Sequence, residues 1–250
     1  MTLAILSALR QEQASLVDAL QRPRRSLHAG RGFWQGELHG KSVVLALSGI
    51  GKVAAATTAT ALIERFGAAR IVFTGVAGGL GEDVAVGDVV VASGYLQHDM
   101  DASPLFPRWE LPGYARTQLD CDAALSALLF EAAGAYLAGA GADFHANFAA
   151  RRKPRGHLGL IASGDRFVGQ AEASRTLRSE LGAAGHAVLA VEMEGAAVAQ
   201  VCHDYGVSFA AMRSISDRAD DSAHVDFTRF VHAVASPCAA GVVGRFLEML

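Results

Sequence analysis

Charged and polar residues that close apolar runs are the first places to look for chemistry in this chain. Glu192-Met193-Glu194 follows Ala187–Val191, and Arg213-Ser214-Ile215-Ser216-Asp217 ends the run that starts at Val207. An ionised carboxyl is costly to bury unless it is paired or engages a ligand. These residues are therefore candidate proton-transfer or hydroxyl-binding groups. The plainer readings are helix N-terminal acids favoured by the macrodipole for Glu192 and a cap or Asx turn at Asp217. Glu12 stands just beyond a third apolar run, Leu3–Ala8.

Two glycine segments also follow apolar runs. Gly49-Ile50-Gly51-Lys52-Val53-Ala54 fits the G-x-G-x-x-G/A dinucleotide pattern, which also wants an acid about 20 positions on. The next run ends instead in Phe73-Thr74-Gly75. A phosphate-binding P-loop fails too, because Ala46 replaces its first glycine and Val53 its Ser/Thr. The segment reads as a tight strand-to-helix turn that lets a ligand approach backbone amides. Gly75-Val76-Ala77-Gly78-Gly79 reads as a second glycine turn. His98-Asp99-Met100-Asp101 lacks the further ligands that a zinc site requires, so a hydrogen-bonded loop and no metal are expected.

The elements that position these residues alternate along the chain. Strands are expected at Leu3–Ala8, Arg70–Thr74, Asp88–Ser93, Gly156–Ala162, Ala187–Val191 and Val207–Ser214, with a hairpin of Gly32–Leu38 and Ser42–Leu47 about His39-Gly40. Helical spacing marks Gln11–Gln21, Gly51–Phe66, Asp120–Ala138, 171–181, Glu194–Tyr205 and Asp226–Met249. Unbroken Val/Ile/Ala runs imply strands covered on both faces. The expected fold is a single α/β domain over residues 1–250, with a central mixed, mostly parallel sheet flanked by helices. Ligands of such sheets sit beyond the carboxyl ends of the strands. Two stretches read as exposed: Gly94–Thr117, with three prolines, Phe106 and Trp109, and Gly139–Arg155, which ends in a basic run.

Composition narrows the partners. With 51% hydrophobic residues the 250-residue chain can bury a core, and 22 basic against 25 acidic residues make no case for nucleic acid. No stretch approaches the roughly 20 apolar residues of a membrane span. Cys121, Cys202 and Cys238 are scattered, which reads as reduced thiols in a cytoplasmic protein.

Taken in order, the segments resemble the nucleoside phosphorylase family and, within it, the 5′-methylthioadenosine/S-adenosylhomocysteine nucleosidases. The resemblance runs through Ala8-Leu9 with Glu12, Ser48–Lys52, Thr74–Leu80, Val86-Gly87-Asp88, His98-Asp99 with Asp101, Ser163-Gly164-Asp165 with Phe167, Val191–Glu194, and Ser214–Asp217 with Ala219-Asp220. It implies a homodimer acting on a purine nucleoside, without cofactor, metal, nucleic acid or membrane. Carried over by position, Asp217 would be the general acid to adenine N7, oriented by Ser216. Its burial and a raised pKa would suit that task. Glu12 would activate water with help from Arg213. Glu194 would accept from ribose hydroxyls, Met193 would pack on the sugar, Phe167 would stack on adenine, and the Val168 backbone would read the base edge. Ala77 and Gly78 would line the site, and Leu9, Ile50 and Phe227 would form a slot for a 5′-alkylthio group. The segment Leu105–Pro112 would reach a neighbouring subunit's site.

Phosphorylases of this family place Arg and Ser/Thr in an R-x-G-[ST] pattern, where this chain has Phe73 and Val76. A phosphate dianion there would lose its water without gaining a partner, so hydrolysis is expected. Val76 and Leu9 also depart from the Ser and Met common among the nucleosidases, which bears on the preferred 5′ substituent. The alternatives are a futalosine-type nucleosidase, a purine nucleoside phosphorylase and a non-enzymatic nucleoside-binding protein.

Overall fold

Apolar runs buried on both faces build the centre of the protein. In a computed structural model that describes residues 2–139, 152–219 and 230–250, Ala4, Ile5, Leu6, Ile71, Val72, Phe73, Ala210, Ala211 and Met212 are all wholly buried. They lie on β1 (Thr2–Ser7), β5 (Ala68–Gly79) and β10 (Ser208–Asp217), and β5 pairs in parallel with both of the others. Parallel pairing continues from β1 to β4 (Lys41–Leu47). A second parallel block joins β6 (Val89–Gln97), β8 (Gly156–Ser163) and β9 (Val188–Glu192). Antiparallel ladders β10–β6 and β5–β9 connect the two blocks, so β5, β10, β6, β8 and β9 close into a ring. Five helices, α1 (Arg10–Ala19), α2 (Lys52–Phe66), α3 (Ala123–Gly139), α4 (Ala171–Ala183) and α5 (Gly195–Tyr205), together with α6 (Ser236–Met249), cover the sheet. The α/β architecture with a mixed sheet is the one expected from the apolar runs.

The hairpin forms between β3 (Arg31–Leu38) and β4. Its turn residues His39 and Gly40 have φ of 48° and 73°, as a two-residue turn that matches strand twist requires. Outside it lies an unexpected strand, β2 (Gln21–His28), paired with β3. Most of β2 is exposed, and it carries Pro23 and three arginines. Such a polar edge gives no apolar signal, but it does discourage further pairing.

The segment Gly75–Gly79 is a correction to the expected turn: it is the last stretch of β5. Its glycines are explained by close approach. A Cβ on Gly78 would lie 2.9 Å from Ala219 Cβ and 3.0 Å from Asp217 Oδ1. The stretch Gly94–Thr117 is likewise less exposed than expected. Tyr95 and Leu96 extend β6 into the core, and Trp109 is buried with its Nε1 donating to His98 O at 3.0 Å. A short strand, β7 (Gln118–Asp120), pairs with β6 and delays α3 to Ala123.

The basic run is not simply solvated either. Arg152 Nη2 lies 2.6 Å from Asp88 Oδ2, and His157 Nε2 lies 2.8 Å from the same oxygen, which is buried. At the end of the chain, Val231–Ala235 forms a π-helical turn leading into α6. Residues 226–229 of the expected terminal helix, and with them Phe227, lie outside the described residues. No described helix is long and apolar enough to cross a membrane.

Candidate active site

The carboxyl ends of β1, β5, β9 and β10 converge on a cavity of about 330 Å³. Leu9, Glu12, Ile50, Ala77, Gly78, Phe167, Val168, Met193, Glu194, Ser216 and Asp217 all line it, bringing together residues up to 208 positions apart in sequence. Among the described residues, one expected member does not line it. Arg213 lies behind the wall, and Phe227 is outside the described residues.

Glu12 sits in the first turn of α1 and is buried. Its Oε2 accepts from the N–H groups of Ala8 at 3.0 Å and Leu9 at 2.7 Å, and its Oε1 accepts from Val76 N–H at 3.1 Å. A carboxylate has about four acceptor positions, so one remains on Oε1 for a water or hydroxyl. Burial pushes this carboxyl above its ordinary range, the largest effect, while the Leu9 N–H and the Arg213 charge pull it down. Gly75 leaves room for the approach of Glu12, because a Cβ there would stand 3.0 Å from Glu12 Oε1 and 3.5 Å from Arg213 Nη1.

Asp217 ends β10. Its Oδ2 accepts from Ser216 Oγ at 2.7 Å and its Oδ1 from Ala219 N–H at 2.7 Å. The adjacent hydroxyl thus holds the carboxyl at the cavity wall. Glu194 stands at the N-cap position of α5, and its Oε1 accepts from Gly51 N–H at 2.9 Å. Burial and the neighbouring Glu192 charge hold its carboxyl well above the ordinary glutamate range.

The contact between Glu194 and Gly51 also explains the first glycine segment. Gly51 has a φ of 96°, and the next N–H, of Lys52, donates to Asp165 Oδ1 at 2.8 Å. Two amides that a pyrophosphate would need are already held by carboxylates, which argues against a dinucleotide. His98-Asp99 proves to be part of the same scaffold. Asp99 accepts from Lys52 Nζ at 2.6 Å and from Asp165 N–H at 2.8 Å, tying the Lys52 turn to the loop that carries Phe167.

Two further residues shape the site. Glu192 accepts from Arg213 Nη2 at 2.6 Å, from Gly195 N–H at 2.9 Å and from the Ser163 hydroxyl. It is at once an ion-pair partner and a helix N-terminal acid, so its two readings hold together. Arg213 in turn lies over the Phe73 ring, 4.0 Å from its centroid, and donates to the Phe73 and Met212 carbonyls. Its Nη2 faces Glu192, while its Nη1 lies beside Gly75 on the side of Glu12. Arg166, beside Phe167, also lines the cavity. Its only sequence signal was its position between two residues of the Gly164-Asp165-Arg166-Phe167 segment.

A family profile described as the phosphorylase superfamily matches residues 2–248. The chain is 34% identical to the 5′-methylthioadenosine/S-adenosylhomocysteine nucleosidase of Shewanella denitrificans, over the whole of both chains. It is similar to the Neisseria meningitidis 5′-methylthioadenosine/S-adenosylhomocysteine nucleosidase in complex with methylthio-immucillin-A, with a TM-score of 0.86, 32% identity and coverage of 100% and 99% of the two chains. Futalosine hydrolase of Helicobacter pylori is similar as well, with a TM-score of 0.84, 32% identity and coverage of 100% and 98%. The chain therefore belongs to the phosphorylase superfamily, on its 5′-methylthioadenosine/S-adenosylhomocysteine nucleosidase branch.

Proposed function

We propose that this protein hydrolyses the N-glycosidic bond of 5′-methylthioadenosine and S-adenosylhomocysteine, releasing adenine. The observation that carries this reading is the placement of Glu12 and Asp217 on one cavity with different hydrogen-bond surroundings. Cleavage of a glycosidic bond passes through an oxocarbenium-like state, which needs an acid at the leaving group and a base that activates water. Asp217, held by Ser216, protonates adenine N7. Glu12, with one acceptor position left, takes the proton of the attacking water. Arg213 supports both sides indirectly, through its charge near Glu12 and its pairing with Glu192.

Binding follows from the remaining walls. Glu194, oriented by Gly51, accepts from the ribose hydroxyls, and Met193 packs on the sugar. Phe167 stacks on adenine and the Val168 backbone reads its edge, with Ala77 and Gly78 beneath. Leu9 and Ile50 give an apolar slot for the 5′ substituent. Val53 and Leu105, which do not line the cavity, are exposed by 78% and 83%, so apolar surface is left for a second copy of the chain to cover. This supports a homodimer in which Leu105–Pro112 reaches the neighbouring site. The buried free thiols Cys121, Cys202 and Cys238 fit a reducing, cytoplasmic setting.

Hydrolysis is favoured over phosphorolysis by Phe73 and Val76. Phe73 is wholly buried under the Arg213 guanidinium, and that cation is committed to Glu192. The test is to incubate the protein with 5′-methylthioadenosine, with and without phosphate, and identify the sugar. Free 5-methylthioribose in both cases is the expected product. A sugar 1-phosphate formed only with phosphate overturns hydrolysis, and preferential cleavage of futalosine overturns the substrate assignment.

A further inference from the structure

Lys52 is held through both its main chain and its side chain. Its N–H donates to Asp165 Oδ1 at 2.8 Å, and its Nζ donates to Asp99 Oδ1 at 2.6 Å. Asp99 Oδ2 in turn accepts from the Asp165 N–H at 2.8 Å. These three residues close a ring of hydrogen bonds, in which each takes part through two of its groups. One side of the ring leads to the base end of the cavity, since Asp165 stands two positions before Phe167. The other side leads to Glu194, whose Oε1 accepts from the N–H of Gly51, next to Lys52. Helix α2 begins at Gly51, which has no side chain to cap it, so its first amides are met by two carboxylates from distant segments. A second route joins the same two ends. Lys52 Nζ also donates to Gln97 Oε1 at 2.9 Å, and Gln97 Nε2 donates to Gln200 Oε1 at 2.9 Å. Gln200 lies on α5, the helix whose N-cap is Glu194. The turn and the loop meet closely, because a Cβ on Gly51 would stand 3.1 Å from Asp165 Oδ1.

We propose that Lys52 and Asp99 are positioning residues that hold the Phe167 loop at a set distance from Glu194, so that the two halves of a nucleoside are bound as one unit. The proposal rests on the nucleosidase reading above, in which Phe167 meets the base and Glu194 the ribose. Neither Lys52 nor Asp99 lines the cavity, so both act through the residues that do. Their side chains are 17% and 30% exposed, which shields the pair in part from solvent. A loop already held in its binding position costs less to order when the ligand arrives. A nucleoside must meet the loop and Glu194 together, whereas free adenine needs the loop alone. The ring therefore matters more to the nucleoside than to its base. Glu12 and Asp217 stand on α1 and β10, outside the ring, so the proton transfers assigned to them do not depend on it.

The test compares Lys52→Met and Asp99→Ala with the wild type. KM for 5′-methylthioadenosine should rise about tenfold in each, the loss expected for one charge-assisted hydrogen bond, while the pH limbs of kcat stay in place. The Kd of free adenine, measured by calorimetry, should rise less. The double variant should lose little more than either single one, because one cut already opens the ring, and Lys52→Arg should recover part of the loss. Amide hydrogen exchange, read by mass spectrometry without ligand, should rise together in residues 49–53 and 163–168 of both single variants. An unchanged KM, an equal loss for adenine and nucleoside, or faster exchange in one segment without the other overturns the proposal. If the wild-type protein cleaves no nucleoside, the nucleosidase reading fails instead, and the exchange measurement by itself decides whether the ring couples the two walls.

Discussion

Arg213 and Glu192 form a buried ion pair, Nη2 to Oε2 at 2.6 Å, with their side chains only 1% and 3% exposed. One comes from the end of β9 and the other from within β10, two strands of the closed ring that do not pair with each other. The pair spans the ring behind the cavity, and Glu192 also accepts from the N-terminal amides of α5. It fixes the strand end from which Met193 and Glu194 project.

Removing one partner leaves the other charge buried and alone. Arg213→Met should therefore destabilise the protein by about 3–5 kcal/mol, measured by urea denaturation. Adding Glu192→Gln should restore much of that loss, since a neutral amide can still accept from the α5 amides. A single-variant cost near zero would show that the pair does not hold this wall.

The two carboxylates at the cavity should be separable by substitution. Asp217→Asn keeps the shape but removes the proton donor, and should lower kcat by about 10²–10⁴-fold. Glu12→Gln should cost a similar factor by removing the base. Because Gln cannot take up a proton, the Glu12→Gln rate should also lose its acid-side pH limb. Steady-state rates across pH check both, and near-normal turnover in Asp217→Asn would contradict the role assigned to it.

Glu12 also links stability to pH. Burial raises its folded pKa above the ordinary glutamate value. The folded state thus holds the proton more tightly than the unfolded state, and the contribution is fully present below that value. It is lost as pH rises through the folded pKa. The stability of the wild type relative to Glu12→Gln should therefore decline as pH increases above about 4.5, read by urea denaturation of both proteins at a series of pH values. On the same grounds the acid limb of kcat/KM should lie above the ordinary glutamate range. A stability difference that grows with pH would contradict the burial argument.

Much of the architecture was legible because its signals are local. Buried strands such as Arg70–Thr74 and Val207–Ser214 are continuous apolar runs, and α2 ends at Gly67, whose φ of 63° is a usual helix terminus. The edge strand β2 was not legible, since its exposed arginines carry no period-2 pattern. The end of β5 carries an ambiguous signal instead. Its glycines signal close backbone approach, and a turn and a crowded strand both require that.

The order of elements and the candidacy of Glu12, Glu194 and Asp217 come from the sequence itself, because strand ends in a doubly covered sheet are where polar residues can meet a ligand. The tertiary structure decided what each of them touches. That Arg213 is spent on Glu192, that Gly51 orients Glu194, and that Lys52 pairs with Asp99 all depend on contacts between distant segments. Such contacts follow from how strands register and where the ring closes. No local spacing encodes that registration, because it is settled by packing across the whole sheet.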